Sequence, residues 1–174
     1  GNLTFIPSPP GYDGNYHGFD GFAISLADKV YARYENNTGG SALAVLEQDS
    51  LRFQVTPDNL GGASGLQNMY FATVLGDQLV LRFRLSTGNY VLGTYLDSSF
   101  TLIPNPPGFG SNGSGVYGLP LVYQGQAYYV LYDDNGYGRT ATFDGVQLSL
   151  IDMPGNDPEA SLGDEEGFYP MNGK

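Results

Sequence analysis

Nine residues near the start of the chain, LTFIPSPPG at 3–11, return as FTLIPNPPG at 100–108, an offset of 97. The match continues without a gap, so that Gly18 falls on Gly115, Gly21 on Gly118 and Ile24 on Leu121. A more divergent copy, LRFQVTPDN, starts at Leu51, and a fourth, LSLIDMPGN, at Leu148. The starts Leu3, Leu51, Phe100 and Leu148 therefore lie 48, 49 and 48 residues apart. A second landmark gives the same period. The turn triplets ADK (27–29), GDQ (76–78), QGQ (124–126) and NGK (172–174) centre on Asp28, Asp77, Gly125 and Gly173, spaced 49, 48 and 48. Two landmarks with one period mark a structural repeat. Its units run approximately over 3–50, 51–99 and 100–147, with an incomplete 148–174, and together they read as one domain over 1–174.

Within a unit the strand signals are short and regularly spaced. In the third, the apolar runs Gly118–Tyr123 and Gln126–Tyr132 flank the Gln124-Gly125 turn. A turn cluster at Asp133-Asp134-Asn135-Gly136 follows, then Arg139–Phe143, the Asp144-Gly145 turn and Leu148–Ile151. The other units copy this, with KVYARY (29–34) and QLVLRF (78–83) as second strands and ALAVL (42–46) and YVLGTY (90–95) as third strands. Four short strands joined by hairpin turns are the content of one propeller blade. Helical repeats need a 3.6-residue apolar period and few Gly or Pro, whereas this chain has 26 Gly and 11 Pro punctuating its apolar runs. Parallel β-helices repeat at about 20 residues, and a β-sandwich gives no reason for this longer period. The expected fold is all-β: β-propeller blades of four antiparallel strands, about three and a half repeats of ~48 residues. A closed ring takes about 4 to 8 blades. The segment is therefore expected to be part of a larger propeller, completed by the rest of a longer chain or by a homo-oligomer.

Charge narrows the partners. The net charge is -11, and seven Lys+Arg scattered along the chain cannot build the basic stripe that nucleic acid requires. An anionic membrane surface is disfavoured on the same ground. No apolar run approaches the ~18 residues of a membrane-spanning helix, so no membrane insertion is expected. Cysteine is absent, which leaves no disulfide, Fe–S cluster or thiolate zinc site and suits either the cytosol or a bacterial surface protein built without disulfides. The opening Gly1-Asn2-Leu3-Thr4 is neither a signal peptide nor an initiator Met, so a segment upstream is expected to have been removed.

The unit order resembles that of the ELWxxDGT-type repeats of bacterial secreted and surface proteins. It comprises a Pro-rich turn, a Gly-flanked aromatic strand, a DNG turn, a strand ending Phe143-Asp144-Gly145, then LSLI and a Pro/Gly loop. Only Asp144-Gly145 reproduces the DG signature; the aligned positions carry Gln48-Asp49 and Asp97-Ser98, and no ELW triplet is present. The resemblance implies an exported, extracellular or cell-surface multi-repeat protein of propeller fold. It carries over no catalytic or ligand residue.

The long loops that lead into each unit's first strand hold the candidate ligand-binding residues Tyr12, Asn15, Tyr16, His17 and Phe19, with Phe109, Asn112 and Tyr117 in the third unit. Flat aromatics beside amides suit sugars, because the ring stacks on C–H faces while the amide binds hydroxyls. The competing reading is that Tyr12/Phe109 and Phe19/Val116 pin the loops to the core. Tyr16 and His17 align with Gly113 and Ser114, so the repeat itself does not require them. His17 is the one histidine, and a Ser-His triad or zinc site lacks its other parts. Asp133, Asp134 and Asn135 offer hard oxygen ligands that Ca²⁺ would accept, but the alternating Asp-x-Asp-x-Asp-Gly loop with a distal Glu is missing. A hairpin turn calls for the same residues. Five carboxylates within Asp157–Glu166 read as an exposed acidic loop.

Three classes of function remain at this stage. One is a non-enzymatic, exported or cell-surface binding or adhesion propeller whose partner is a glycan or a protein. Another is a structural repeat segment of a larger surface assembly. The third, a propeller enzyme such as a glycosidase or lyase, ranks last because the repeats are alike and no catalytic constellation stands out.

Overall fold

The computed structural model describes residues 7–8, 10–14, 18–37, 40–47, 50–55, 66–111 and 113–151. Every regular element among them is a strand, and the strands fall into three four-stranded antiparallel meanders. The first is β1 (Gly18–Leu26), β2 (Lys29–Glu35), β3 (Ser41–Glu47) and β4 (Ser50–Val55). Next comes the second, β5 (Leu66–Leu75), β6 (Gln78–Leu85), β7 (Tyr90–Leu96) and β8 (Ser99–Ile103). The third is β9 (Gly115–Tyr123), β10 (Gln126–Tyr132), β11 (Gly138–Phe143) and β12 (Leu148–Leu150). Their first residues, Gly18, Leu66 and Gly115, are 48 and 49 residues apart, so the sequence period is the period of the fold. The physical unit begins one strand later than the units counted from Leu3, because the copies of that landmark at Leu51, Phe100 and Leu148 begin on the last strand of a meander, β4, β8 and β12.

The turns explain the spacing. A two-residue hairpin whose central residues both have positive φ matches the right-handed twist of its strands. Gln124-Gly125 (φ 49° and 77°) and Asp97-Ser98 (φ 48° and 64°) are such turns. Each second hairpin closes over a longer loop with one shared bond: Asn36 N–H to Gly40 O, Leu85 N–H to Asn89 O, Asp133 N–H to Tyr137 O. The Asp144-Gly145 connection departs from the two-residue pattern. There the Asp144 carboxylate accepts from the N–H groups of Val146 and Gln147, an Asx-type turn that spans four residues between β11 and β12. Each first strand also slips register against its neighbour at a bulge, once in β1 and β9 and twice in β5.

The meanders stack face to face. Alternate side chains of β6 point to opposite faces, and both faces are buried. Leu79, Leu81 and Phe83 join Tyr31, Leu43 and Val45 of the first meander in one core. Val80, with Phe71 and Leu92, joins Val116, Tyr129, Leu131 and Phe143 of the third meander in another. Strand β6 therefore reads as the unbroken apolar run LVL, as a strand covered on both sides should. Along the stack β1 lies against β5 and β5 against β9, and a single parallel pair, Tyr90–Gly115, joins β7 to β9. The all-β expectation and its antiparallel meanders are thus met, in an open stack with no ring closed among the described residues. On β9, Leu119, Leu121 and Tyr123 remain exposed.

Candidate functional site

The two ends of the stack differ. Two-residue hairpins such as Gln124-Gly125 and Asp97-Ser98 occupy one end, and the β2–β3, β6–β7 and β10–β11 turns occupy the other with the long loops that precede β1 and β9. At this loop end the same fastening appears in two repeats. Asn37 N–H donates to Gly11 O and Asp134 N–H to Gly108 O, both at 2.8 Å. In return, Gly14 N–H donates to Asn37 Oδ1 at 2.9 Å and Ser111 N–H to Asp134 Oδ1 at 2.8 Å. Each loop is thus clipped to the turn of its own meander by one turn residue. The loop before β9 has a further tie: the Asn105 amide donates to Tyr90 O (2.7 Å) and Phe109 O (2.8 Å). Gly115 closes this corner at φ 99°, and a Cβ there would lie 2.0 Å from Tyr90 O. A side chain at this position is excluded on both counts.

The clips set the carboxylate chemistry. The Ser111 N–H bond holds the Asp134 carboxyl below its usual range, and hydrogen bonds from the Asn37 amide and the local backbone do the same for Asp13. Asp133 Oδ1 accepts from Asn135 N–H (2.9 Å) and Tyr137 N–H (3.0 Å), closing the turn. One oxygen of Asp133 and one of Asp134, two of the groups considered for Ca²⁺, are thus engaged in fastening the turn and its loop.

The aromatic candidates divide by environment. Phe109 is 4% exposed inside the core between the second and third meanders, next to its loop-pinning companion Val116. Tyr12, its counterpart in the first repeat, stacks on Phe53 with ring centroids 4.1 Å apart. Phe19 is 59% exposed and meets Tyr34 edge-on, with ring centroids 6.0 Å apart. Tyr117 lies edge-on to Tyr90 and Tyr132. Asn15, Tyr16, His17 and Asn112 lie outside the described residues, as does the acidic run Asp157–Glu166.

One arrangement escaped the sequence reading. The fifth residue of each second strand is Arg33, Arg82 or Val130, and the three repeats treat it differently. Arg33 pairs with Asp20 and Glu35 and donates to Ser41 Oγ at 3.1 and 3.2 Å. Val130 is simply buried. Arg82 is 8% exposed and meets ring faces instead: Tyr90 at 4.2 Å, Tyr117 at 4.9 Å, Tyr70 at 5.1 Å and Phe71 at 5.5 Å. The turn landmarks align Tyr70 with the bulge glycines Gly21 and Gly118. At Gly21 a Cβ would approach the Arg33 guanidinium to 3.2 Å, so the glycine leaves room for the ion pair. Tyrosine in its place puts a ring over the cation. Desolvation lowers the Arg82 pKa from its usual value, against the opposing influence of the surrounding tyrosines. The signal available in the sequence was a tyrosine where the neighbouring repeats carry glycine.

At the opposite end a cleft of about 380 Å³ separates the first two meanders, lined by Asp28, Tyr31, Gln54, Asp77, Tyr95 and Asp97 among others. Among the described residues no three metal-ligating side chains converge there or elsewhere. No family model matches this chain, and no curated protein matches it.

Proposed function

We propose that the chain is a run of β-propeller blades that acts as an exported or cell-surface binding module, recognising a glycan or protein partner through its loop end. The blade reading rests on the repeated four-stranded meander, on cores formed between successive meanders, and on first strands that neighbour one another along the stack. The recognition reading rests on one observation above all, the clip shared by two repeats. Loops fixed by equivalent bonds are ordered before any ligand arrives, which lowers the entropic cost of binding. Around them Phe19, Tyr70 and Tyr137 stand more than a third exposed at the same end. Large aromatic surface left in water beside polar turns is the composition of a sugar- or protein-recognition surface.

A glycan array probed with the wild-type chain and with Phe19→Ala/Tyr137→Ala tests this. Binding to a defined sugar class by the wild type, lost in the double variant with folding intact, is the expected result. If the double variant binds every target as the wild type does, the loop end is not the recognition surface. The second reading, a structural segment of a larger assembly, draws on a different feature, the exposed Leu119, Leu121 and Tyr123 of β9. By the pattern of β6, that side of a meander is the one a following meander covers. Mass measurement by light scattering separates the two, since assembly through this face predicts a species heavier than one chain.

A further inference from the structure

Arg82 and Arg84 stand two residues apart on β6, so their side chains leave the same face of the strand, at the seam between the second and third meanders. The chain holds 18 Asp+Glu against seven Lys+Arg, so carboxylates are abundant. Neither arginine nevertheless has one within ion-pair distance among the described residues, and the Nε–H of each is buried with no hydrogen-bond partner. The equivalent Arg33 shows what the position accepts: a carboxylate from Asp20, one residue before the bulge glycine. In the second repeat that site is Met69, which is buried in the core, and among the described residues no carboxylate takes the place of the lost anion. The four rings around Arg82 attract its faces and Tyr90 hydrogen-bonds the guanidinium, but the Nε–H groups of Arg82 and Arg84 find no acceptor among the described residues. A cation more than nine-tenths buried, with an unsatisfied Nε–H and no carboxylate beside it among the described residues, carries a desolvation cost that an anion would offset.

We propose that this seam is an oxyanion-binding site, with the Arg82 and Arg84 guanidinium groups as donors and Tyr70 and Tyr90 as walls, and that its ligand is the charged group of an acidic sugar. The inference rests on the glycan reading above and deepens it by naming the sugar class. A ligand oxyanion takes the place that Asp20 takes beside Arg33, while the sugar ring lies against Tyr70, whose side of the cage opens to solvent at 38% exposure. Carboxylate and sulfate ester share this chemistry. The planar guanidinium forks fit either one through paired hydrogen bonds.

The test is calorimetric titration of the chain with three oligosaccharides of one length: a neutral glycan, a uronate-bearing one and a sulfated one. NMR of the arginine Nε–H groups accompanies it. A preference of tenfold or more for either acidic glycan, with the Arg82 Nε–H resonance shifting on binding, is expected, and the preferred acid identifies the oxyanion. Arg84→Gln, at a half-buried position, should erase most of that preference while leaving thermal unfolding unchanged. Arg82→Gln should do the same wherever it folds. Equal affinity for all three sugars overturns the oxyanion site and leaves the loop-end reading standing. Binding to none of them overturns the oxyanion site together with the glycan reading on which it rests. An acid preference that survives Arg84→Gln, with the Arg82 resonance unmoved, places the anion elsewhere and also overturns the site.

Discussion

Replacing Phe109 by alanine tests whether the loop before β9 is part of the core or merely lies on it. The ring is 4% exposed and packs among Val116, Leu131 and Phe143, between two meanders. Returning a phenylalanine side chain of this burial to water costs about 1.5–3 kcal/mol. The cavity left between the sheets adds to that, because interlocked strands collapse only partly, and the usual total for Phe→Ala is about 3–5 kcal/mol. Against the ~5–15 kcal/mol that typical domains possess, such a loss is large. It should lower the melting temperature by roughly 6–20 °C, at about 2–4 °C per kcal/mol for a chain of this size. Urea unfolding followed by far-UV circular dichroism measures it, with Tyr12→Ala as the internal comparison. Tyr12 occupies the same repeat position but is only partly buried and stacks on Phe53, so its loss should be smaller than that of Phe109. If Phe109→Ala costs no more than Tyr12→Ala, the loop is not anchored through its ring, and the division between pinned and free aromatics fails.

Three further outcomes follow from single contacts. Tyr129 is fully buried and its hydroxyl has no partner among the described residues, so Tyr129→Phe should be neutral or raise stability by about 1 kcal/mol in urea titration; a loss above that would reveal a bond to the hydroxyl. Gly115→Ala forces a Cβ onto Tyr90 O at positive φ and should unfasten β9 from β7, seen as faster amide exchange at Tyr90 and Gly115 than in the wild type; unchanged exchange would show that the close approach is not made. Asp13, Asp134 and Asp144 all have carboxyl pKa values held below the usual 3.8 by hydrogen bonds to the ionised form. Folding therefore gains from them above the unfolded value of about 3.9, and that gain is lost as pH falls through the lower folded values. The melting temperature should accordingly be insensitive to these groups between pH 7 and about pH 5 and should drop in the acid range below pH 4. In Asp134→Asn that acid drop should be shallower; an unaltered acid limb would remove Asp134 from the balance.

Most of the fold was legible because strands, turns and repeat spacing are local properties. The expected Gln126–Tyr132 coincides with β10, and Arg139–Phe143 falls one residue short of β11. The expected first strand Gly118–Tyr123 missed the leading Gly115-Val116-Tyr117, because glycine before a strand reads as loop, whereas here it allows the close approach to Tyr90. Asp144-Gly145 read as a tight hairpin, but Asp144 spends its carboxylate on two downstream N–H groups and widens the connection. At the loop end, Tyr12 and Phe109 were recognised as equivalent, yet which ring would be buried depends on the neighbouring meander and not on either loop. The Arg82 cage was hidden for the same reason. Tyr117 comes from the third meander, Tyr70 and Tyr90 from two other strands of the second, and only stacking brings them together.

The stack itself can be tested on one strand. Leu79 and Val80 are consecutive in β6 but enter different cores, the first toward Tyr31, Leu43 and Val45, the second toward Val116 and Leu131. Methyl NOE spectroscopy on the intact chain should show Leu79 near Leu43 or Val45 and Val80 near Val116 or Leu131, with no crossing of the two sets. Contacts from both residues to one and the same neighbouring meander, or contacts confined to the second meander, would contradict the stacked-meander arrangement.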